Sequence, residues 1–326
     1  MLLLGKRALL GAAAAALATP ALAQAPFPTR TISMVIPFAA GGPTDTVGRL
    51  IAQSMGAELG QTVVVENVAG AGGSLGAQRV AQARPDGYTI LLHHIGMSTI
   101  PTLYRRLAYD PINGFETVGL VTEVPMTLVA RRNFPANNLA ELVQVVRRER
   151  ERLNYANAGI GAASHLCGLL FQKALDTPFT TVPYRGTGPA MNDLVAGTVD
   201  LMCDQTTNTT EQIRAGTIRG FAVTTRERIA ALPDLPTAAE AGLPDFEVSV
   251  WHGLYTPRNT PRPIVERLNR ALVHALRDET IARRFADLGT APVPVARATP
   301  EAHRSFWQAD IAKWRPLIQA AGQFAD

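Results

Sequence analysis

Cysteine is scarce in this chain: Cys167 and Cys203 are the only two among 326 residues, and they form no CxxC pair. Two such residues do not make a zinc site. Charge is sparse as well, at 18% of residues, and neither sign dominates, with 31 Lys and Arg against 27 Asp and Glu. No Lys/Arg block is interleaved with aromatics, which excludes nucleic acid as a partner class. The densest basic run, Arg147, Arg148, Arg150 and Arg152, alternates with Glu149 and Glu151 and reads as a solvated helix face. There is no HExxH, no Walker loop and no carboxylate pair spaced for acid–base work. Internal repeats and low-complexity linkers are missing too. What remains is 47% hydrophobic, a globular composition with enough apolar surface for sizeable cores, in one large domain or two smaller ones.

The one long apolar run lies at the N-terminus. Lys6 and Arg7 precede it, residues 8–17 form it, and Ala21-Leu22-Ala23 closes it. That is the layout of a secretory signal peptide, residues 1–23, cleaved after Ala23. A membrane anchor would need about 20 apolar residues, and this run is shorter. Losing Lys6 and Arg7 leaves 29 basic and 27 acidic residues, so the mature chain is close to neutral. It is expected in the periplasm, soluble and monomeric. Export to an oxidising compartment favours a Cys167–Cys203 disulfide over two buried free thiols.

Along the chain, strand-like and helix-like segments alternate. Strands are expected at residues 32–37, 62–66, 88–93, 154–157, 179–183, 199–203, 220–224 and 246–255. Val47, Leu50, Ile51, Met55 and Leu59 share one helical face, as do Leu139, Leu142, Val143, Val146 and Leu153. Thr187, Pro189 and Gly197 mark the start and end of another helix. Near the C-terminus, Trp307, Ile311, Trp314 and Ile318 recur at helical spacing and read as core. This rhythm predicts an α/β protein of two doubly wound domains with a cleft between them. The expected boundaries put residues 24–124 and 253–326 in one domain and residues 125–252 in the other, with crossovers near 123–128 and 249–254.

Two kinds of site present themselves. Gly72-Gly73-Ser74-Leu75-Gly76 matches the G-x-S-x-G of a serine hydrolase, but that elbow needs a strand running straight into the serine. Three glycines intervene here, so a secreted hydrolase using Ser74 is the alternative reading. His93 and His94 are strand neighbours pointing to opposite faces, which separates them as metal ligands. The favoured site is built from glycine-rich strand-to-helix turns at residues 39–45, 70–76 and 157–164. Glycine lets a backbone approach a ligand, and a helix start offers free N–H groups and partial positive charge. Such turns bind anions without a basic side chain, and in open α/β sheets they sit where ligands bind. A complete GxGxxG is not present, and no cofactor or metal is implied.

The same residues carry a resemblance. Val35-Ile36-Pro37-Phe38-Ala39-Ala40-Gly41-Gly42-Pro43-Thr44-Asp45, Val64-Val65-Glu66-Asn67 with the glycines of 70–77, Pro85-Asp86-Gly87-Tyr88-Thr89, and Val182-Pro183-Tyr184-Arg185-Gly186 follow one another as in the Bug family. These are extracytoplasmic receptors of tripartite tricarboxylate transporters, and the resemblance covers essentially the whole mature chain. It implies a Venus-flytrap, non-enzymatic binding protein that closes on a small organic carboxylate and delivers it to integral-membrane transporter subunits. It also implies a ligand set: Phe38, Gly41, Gly42, Thr44 and Asp45; Gly96, Met97 and Ser98 from the contact loop His94–Ser98; and Asn157, Gly161, Ala162, Ala163, Ser164 and Asp204. Asp45 is expected to organise the loop or waters, or simply to cap its helix. The chain departs from the family pattern at Cys203, where an aromatic is usual, at Cys167, and in the polar run Asp204-Gln205-Thr206-Thr207-Asn208.

Overall fold

A computed structural model describes residues 27–322, 324 and 325; the expected signal peptide lies outside them. In chain order the elements are β1 (Ile32–Ile36), α1 (Pro43–Leu59), β2 (Val63–Asn67), α2 (Ser74–Ala81), β3 (Thr89–His94), α3 (Gly96–Leu103) and β4 (Phe115–Arg131). Then come α4 (Leu139–Glu149), β5 (Asn154–Asn157), α5 (Ala163–Leu175), β6 (Thr180–Pro183), α6 (Thr187–Ala196), β7 (Leu201–Gln205), α7 (Thr206–Arg214) and β8 (Ile218–Val223). The chain ends with β9 (Ser249–Pro257), α8 (Arg262–Arg277), α9 (Glu279–Asp287) and α10 (Pro300–Ala321). Among the described residues no helix is long and apolar enough to cross a membrane.

The strands pair in two sets. In the first lobe β1 lies between β2 and β3, all parallel, and β9 joins β3 antiparallel. In the second, β5 lies between β6 and β7, again parallel, and β4 joins β7 and β8 antiparallel. The β4 strand belongs to both. Its residues up to Pro125 pair with β9, and those from Met126 pair with β7 and β8. The chain returns where Val248 N–H still bonds Thr224 in the second lobe and Ser249 already faces Pro125. The sheets are therefore joined through one continuous strand and its partner, a connection that two passes of backbone share.

The β4 strand escaped the sequence reading except as a crossover. It is buried along nearly its whole length, so the in–out alternation that marks a strand is missing. Pro125 and Gly119 within it argue against a strand, yet Gly119 lies at a register shift against β9, and Pro125 stands where pairing with β9 ends and pairing with β7 begins. The helix expected to be capped by Thr187 is capped by Gly186, with Thr187 as its first residue. Elsewhere local chemistry acts as the residues dictate. The Asn138 side chain accepts from Glu141 N–H at the start of α4, and Thr299 does the same for α10. Pro43 opens α1 and left-handed Gly60 closes it. Trp307, Ile311, Trp314 and Ile318 are all buried in the core, and α10 packs on α3.

Candidate functional site

The carboxyl ends of β1, β3, β5 and β7 converge on a cavity between the lobes. It is lined by Phe38, Pro43, Thr44 and His94 from the first lobe and by Ala158, Ala163, Ser164, Thr187, Asp204 and Gln205 from the second. The two rims touch around it. Ala39 N–H donates to the Arg185 carbonyl (2.9 Å), Thr99 Oγ1 to the Gly161 carbonyl (3.0 Å), and the Tyr104 hydroxyl to the Ile160 carbonyl (3.0 Å). Glycines make this approach feasible. A Cβ on Gly188 would lie 2.7 Å from the Ala40 carbonyl oxygen, and one on Gly72 would overlap the Ile160 carbonyl.

Each wall presents a helix start. In α1 Pro43 has no N–H and Thr46 N–H already bonds Gly42 (3.0 Å), so Thr44 and Asp45 supply the amides without an intrahelical partner. In α5 the first intrahelical bond is Leu166 N–H to Ala162 (3.0 Å), which leaves Ala163, Ser164 and His165 ahead of it. The loops before them are shaped by side chains. Asp45 is not the N-cap, a place Gly42 takes. Its carboxylate accepts from Gly41 N–H (3.0 Å), Arg49 Nε (2.9 Å) and Asn67 Nδ2 (2.9 Å), while Asn67 also ties the Phe38 carbonyl. Burial pushes the Asp45 pKa up, but these donors outweigh it and hold the carboxyl below its ordinary value. Asp45 therefore organises its loop from within the first lobe.

On the other wall the anchors are neutral. Asn157 Oδ1 accepts Gly159 N–H (2.9 Å), Ser164 Oγ accepts Ala158 N–H (2.9 Å), and His165 Nδ1 accepts Gly161 N–H (3.3 Å). Cys167, one turn along α5, is disulfide-bonded to Cys203 of β7, with Cα atoms 6.1 Å apart. Beside Cys203, Asp204 accepts from Asn208 Nδ2 (2.6 Å). Burial lifts its pKa to about 6 despite Asn208, the Gln205 N–H and the Thr187 hydroxyl.

Of the expected ligand set, Phe38, Thr44, Ala163, Ser164 and Asp204 line the cavity. Gly41, Gly42, Asp45, Asn157, Gly161 and Ala162 shape the loops behind it. The segment after His94 is not a loop. α3 begins at Gly96, and it turns the Met97 carbonyl to Trp307 Nε1 (3.0 Å), away from the cavity. Ser98 is buried on the same helix, outside the lining. Pro43, Ala158, Thr187 and Gln205 were missed as cavity residues, and His94 was expected only as the first residue of a contact loop. The signal for His94 was available, since it is a polar residue at the carboxyl end of a parallel strand beside β1. Arg185 is exposed and gives only its carbonyl to the rim.

Ser74 is the first residue of α2, buried, and separated from the end of β2 at Asn67 by a 3-10 turn at Ala71–Gly73. No hydrogen bond joins it to a histidine among the described residues. A nucleophile elbow is not built here. Nor do the described residues hold a group of three or more His, Cys, Asp or Glu that could bind a metal. A larger surface cleft of about 520 Å³ between α8 and α10 has its charges spent on one another, as Arg262–Glu266, Arg262–Glu301 and Arg304–Glu116 pairs.

Two α/β lobes joined by shared strands, with helix starts converging on a cavity between them, define a solute-binding protein. Residues 47–323 match the tripartite tricarboxylate transporter family receptor, and the chain belongs to that family. It is 52% identical to the UPF0065 protein in the TAR-I ttuE-ttuC' intergenic region of Agrobacterium vitis, over 93% of this chain and 88% of that one. The structure of the periplasmic binding protein BugD superposes with a TM-score of 0.90 at 49% identity, covering 92% of this chain and all of BugD. MatC of Rhodopseudomonas palustris with bound malate gives a TM-score of 0.87 at 43% identity, covering 90% of this chain and all of MatC.

Proposed function

We propose that the protein is a periplasmic receptor that closes its two lobes on a small organic carboxylate and passes it to the membrane subunits of a tripartite transporter. Residues 1–23 direct export. Residues 24–124 with 253–326 move against residues 125–252 about the β4–β9 connection. The observation that carries the reading is the pair of helix starts, α1 and α5, one from each lobe, meeting at a cavity with no Lys or Arg in its lining. Main-chain N–H groups and helix dipoles hold a carboxylate there. A cradle without a formal cation avoids a deep charge–charge well, which suits capture followed by release. The malate in MatC supports a small dicarboxylate as the ligand class. Closure follows if the ligand contacts both walls at once and so favours the closed form.

The test is thermal unfolding of the chain from residue 24 onward against mono-, di-, tri- and aromatic carboxylates. A ligand at 100 times its Kd adds about 2.7 kcal/mol to apparent stability. A clear Tm rise with at least one carboxylate is expected. No rise with any of them would overturn the reading.

A further inference from the structure

The neutral cradle leaves two buried polar side chains of the cavity without a role. His94, at the end of β3, stacks on Phe38 with ring centres 4.6 Å apart and planes 28° apart. Its Nδ1 accepts the Gly96 N–H (2.9 Å). An imidazole that accepts at Nδ1 carries its proton on Nε2 while neutral. Burial pushes the His94 pKa down to about 3, so neutral is the form present at ordinary pH. Among the described residues, no group accepts from that Nε2–H. Asp204, from β7 of the other lobe, lines the same cavity and is buried. Its carboxylate has about four lone-pair sites, and Asn208, the Gln205 N–H and the Thr187 hydroxyl leave acceptor capacity on it. One wall thus contributes a single neutral donor and the other an acceptor, both in a cavity already furnished with amides for a carboxylate.

We infer, building on the carboxylate-capture reading, that His94 and Asp204 together read a hydroxyl group on the ligand, so that the substrate class is the hydroxy-carboxylates. The hydroxyl oxygen accepts from His94 Nε2–H, and its proton goes to Asp204. No other common substituent fits both partners. An ammonium has donors only and sets one of them against the His94 N–H. A methylene leaves both protein groups buried and unanswered. Sites built around a substrate hydroxyl discriminate strongly against analogues that lack it, because their own polar groups are then left unpaired.

The experiment is calorimetric titration of the mature protein with malate, succinate and aspartate, which differ only in carrying a hydroxyl, a hydrogen or an ammonium at one carbon. Malate is expected to bind at least ten-fold more tightly than either of the others. His94→Phe keeps the ring and its stacking and removes the donor. It is expected to bring the malate-to-succinate affinity ratio down to about one, chiefly by weakening malate. Asp204→Asn gives a second, independent reading of the malate-to-succinate ratio, which is expected to fall; should one variant fail to fold, the other decides. Succinate or aspartate binding as tightly as malate would overturn the hydroxyl reading alone, as would a His94→Phe variant that weakens malate and succinate equally. Failure of all three to bind the wild-type protein would overturn carboxylate capture, and this inference with it.

Discussion

The two walls of the cleft reach the same result by different chemistry. In the first, the loop before α1 is held by an ionised side chain: Asp45 gathers Gly41, Arg49 and Asn67 around one carboxylate. In the second, the loop before α5 is held by an amide oxygen, a hydroxyl and a neutral imidazole, from Asn157, Ser164 and His165, and the helix is then tied to β7 by Cys167–Cys203. In both cases side chains consume the loop amides and leave those of the helix's first turn. The comparison teaches that the residues which define the loops and the residues which meet a ligand are different sets, one positioned by the other.

The sharpest way to break the symmetry is through the rims rather than the loops. Gly72 sits at φ +59° with the Ile160 carbonyl where its Cβ would be, whereas Gly41 is at φ +79° with nothing within 4 Å. Both substitutions to Ala incur left-handed strain of about 1–2 kcal/mol. Only Gly72→Ala also obstructs the approach of the lobes. It is expected to lower carboxylate affinity at least 100-fold by calorimetry, and Gly41→Ala less than ten-fold, while the strain lowers the unliganded Tm of both variants by a similar few degrees. Equal losses for the two variants would show that the rims do not need to meet.

Acid separates the walls next. His94 and His165 have pKa values pushed down by burial to about 3 and about 4. The unfolded chain binds protons at these sites below pH ~6.5 and the folded chain does not, so stability falls as pH drops below that value. At pH 5 each costs about 2 kcal/mol. Asp204 works the other way. Its folded pKa of about 6 lies above the unfolded 3.8, so the native state keeps a proton that the unfolded state lacks, and acidification to pH 5 returns about 1 kcal/mol. Urea melts are expected to show a net loss of stability from pH 7 to pH 5, steeper in Asp204→Asn. A flat or rising profile would contradict these environments.

The covalent tie exists in the second wall alone. Cys167→Ser with Cys203→Ser is expected to cost about 2–4 kcal/mol of stability for a 36-residue separation, read as a lower urea midpoint. Unreduced mass spectrometry that finds both thiols alkylated in the exported protein would remove the tie. The loop anchors come below this. Asp45→Asn weakens three charge-assisted bonds and is expected to lower stability by about 1–3 kcal/mol, whereas Ser164→Ala removes one neutral acceptor and costs about 1 kcal/mol. A larger loss at Ser164 would reverse the ranking of the two walls.

Much of this was legible in the residues. Gly-rich turns after short strands marked both helix starts, and the apolar face of Trp307, Ile311, Trp314 and Ile318 marked α10. What escaped has a common cause. β4 is buried on both faces and carries no alternation. His94 was expected only as the start of a contact loop, and Met97 and Ser98 were taken for that loop because Gly96 begins α3 with no side-chain cap. Gly72 and Gly188 are informative only once the other lobe's carbonyls are in place. Sequence pattern reports a residue's own element well, and contacts between lobes poorly.

The smallest effect expected is none at all, at Ser74. The glycine-rich segment that resembles a nucleophile elbow belongs to the first wall, where it turns the chain from β2 into α2 and brings Gly72 to the rim. An elbow would need Ser74 at the tip of a strand, with its Oγ held by a base. Instead Ser74 follows a 3-10 turn, lies buried as the first residue of α2, and makes no hydrogen bond to a histidine among the described residues. A hydroxyl-to-hydrogen change at such a position typically shifts stability by about 1 kcal/mol or less when no bond is lost. Ser74→Ala is therefore expected to leave carboxylate affinity within two-fold of wild type, and neither protein should release chromophore from an activated ester above the buffer rate. Ester turnover by the wild type that disappears in Ser74→Ala would make this wall a catalytic one and return the hydrolase to contention.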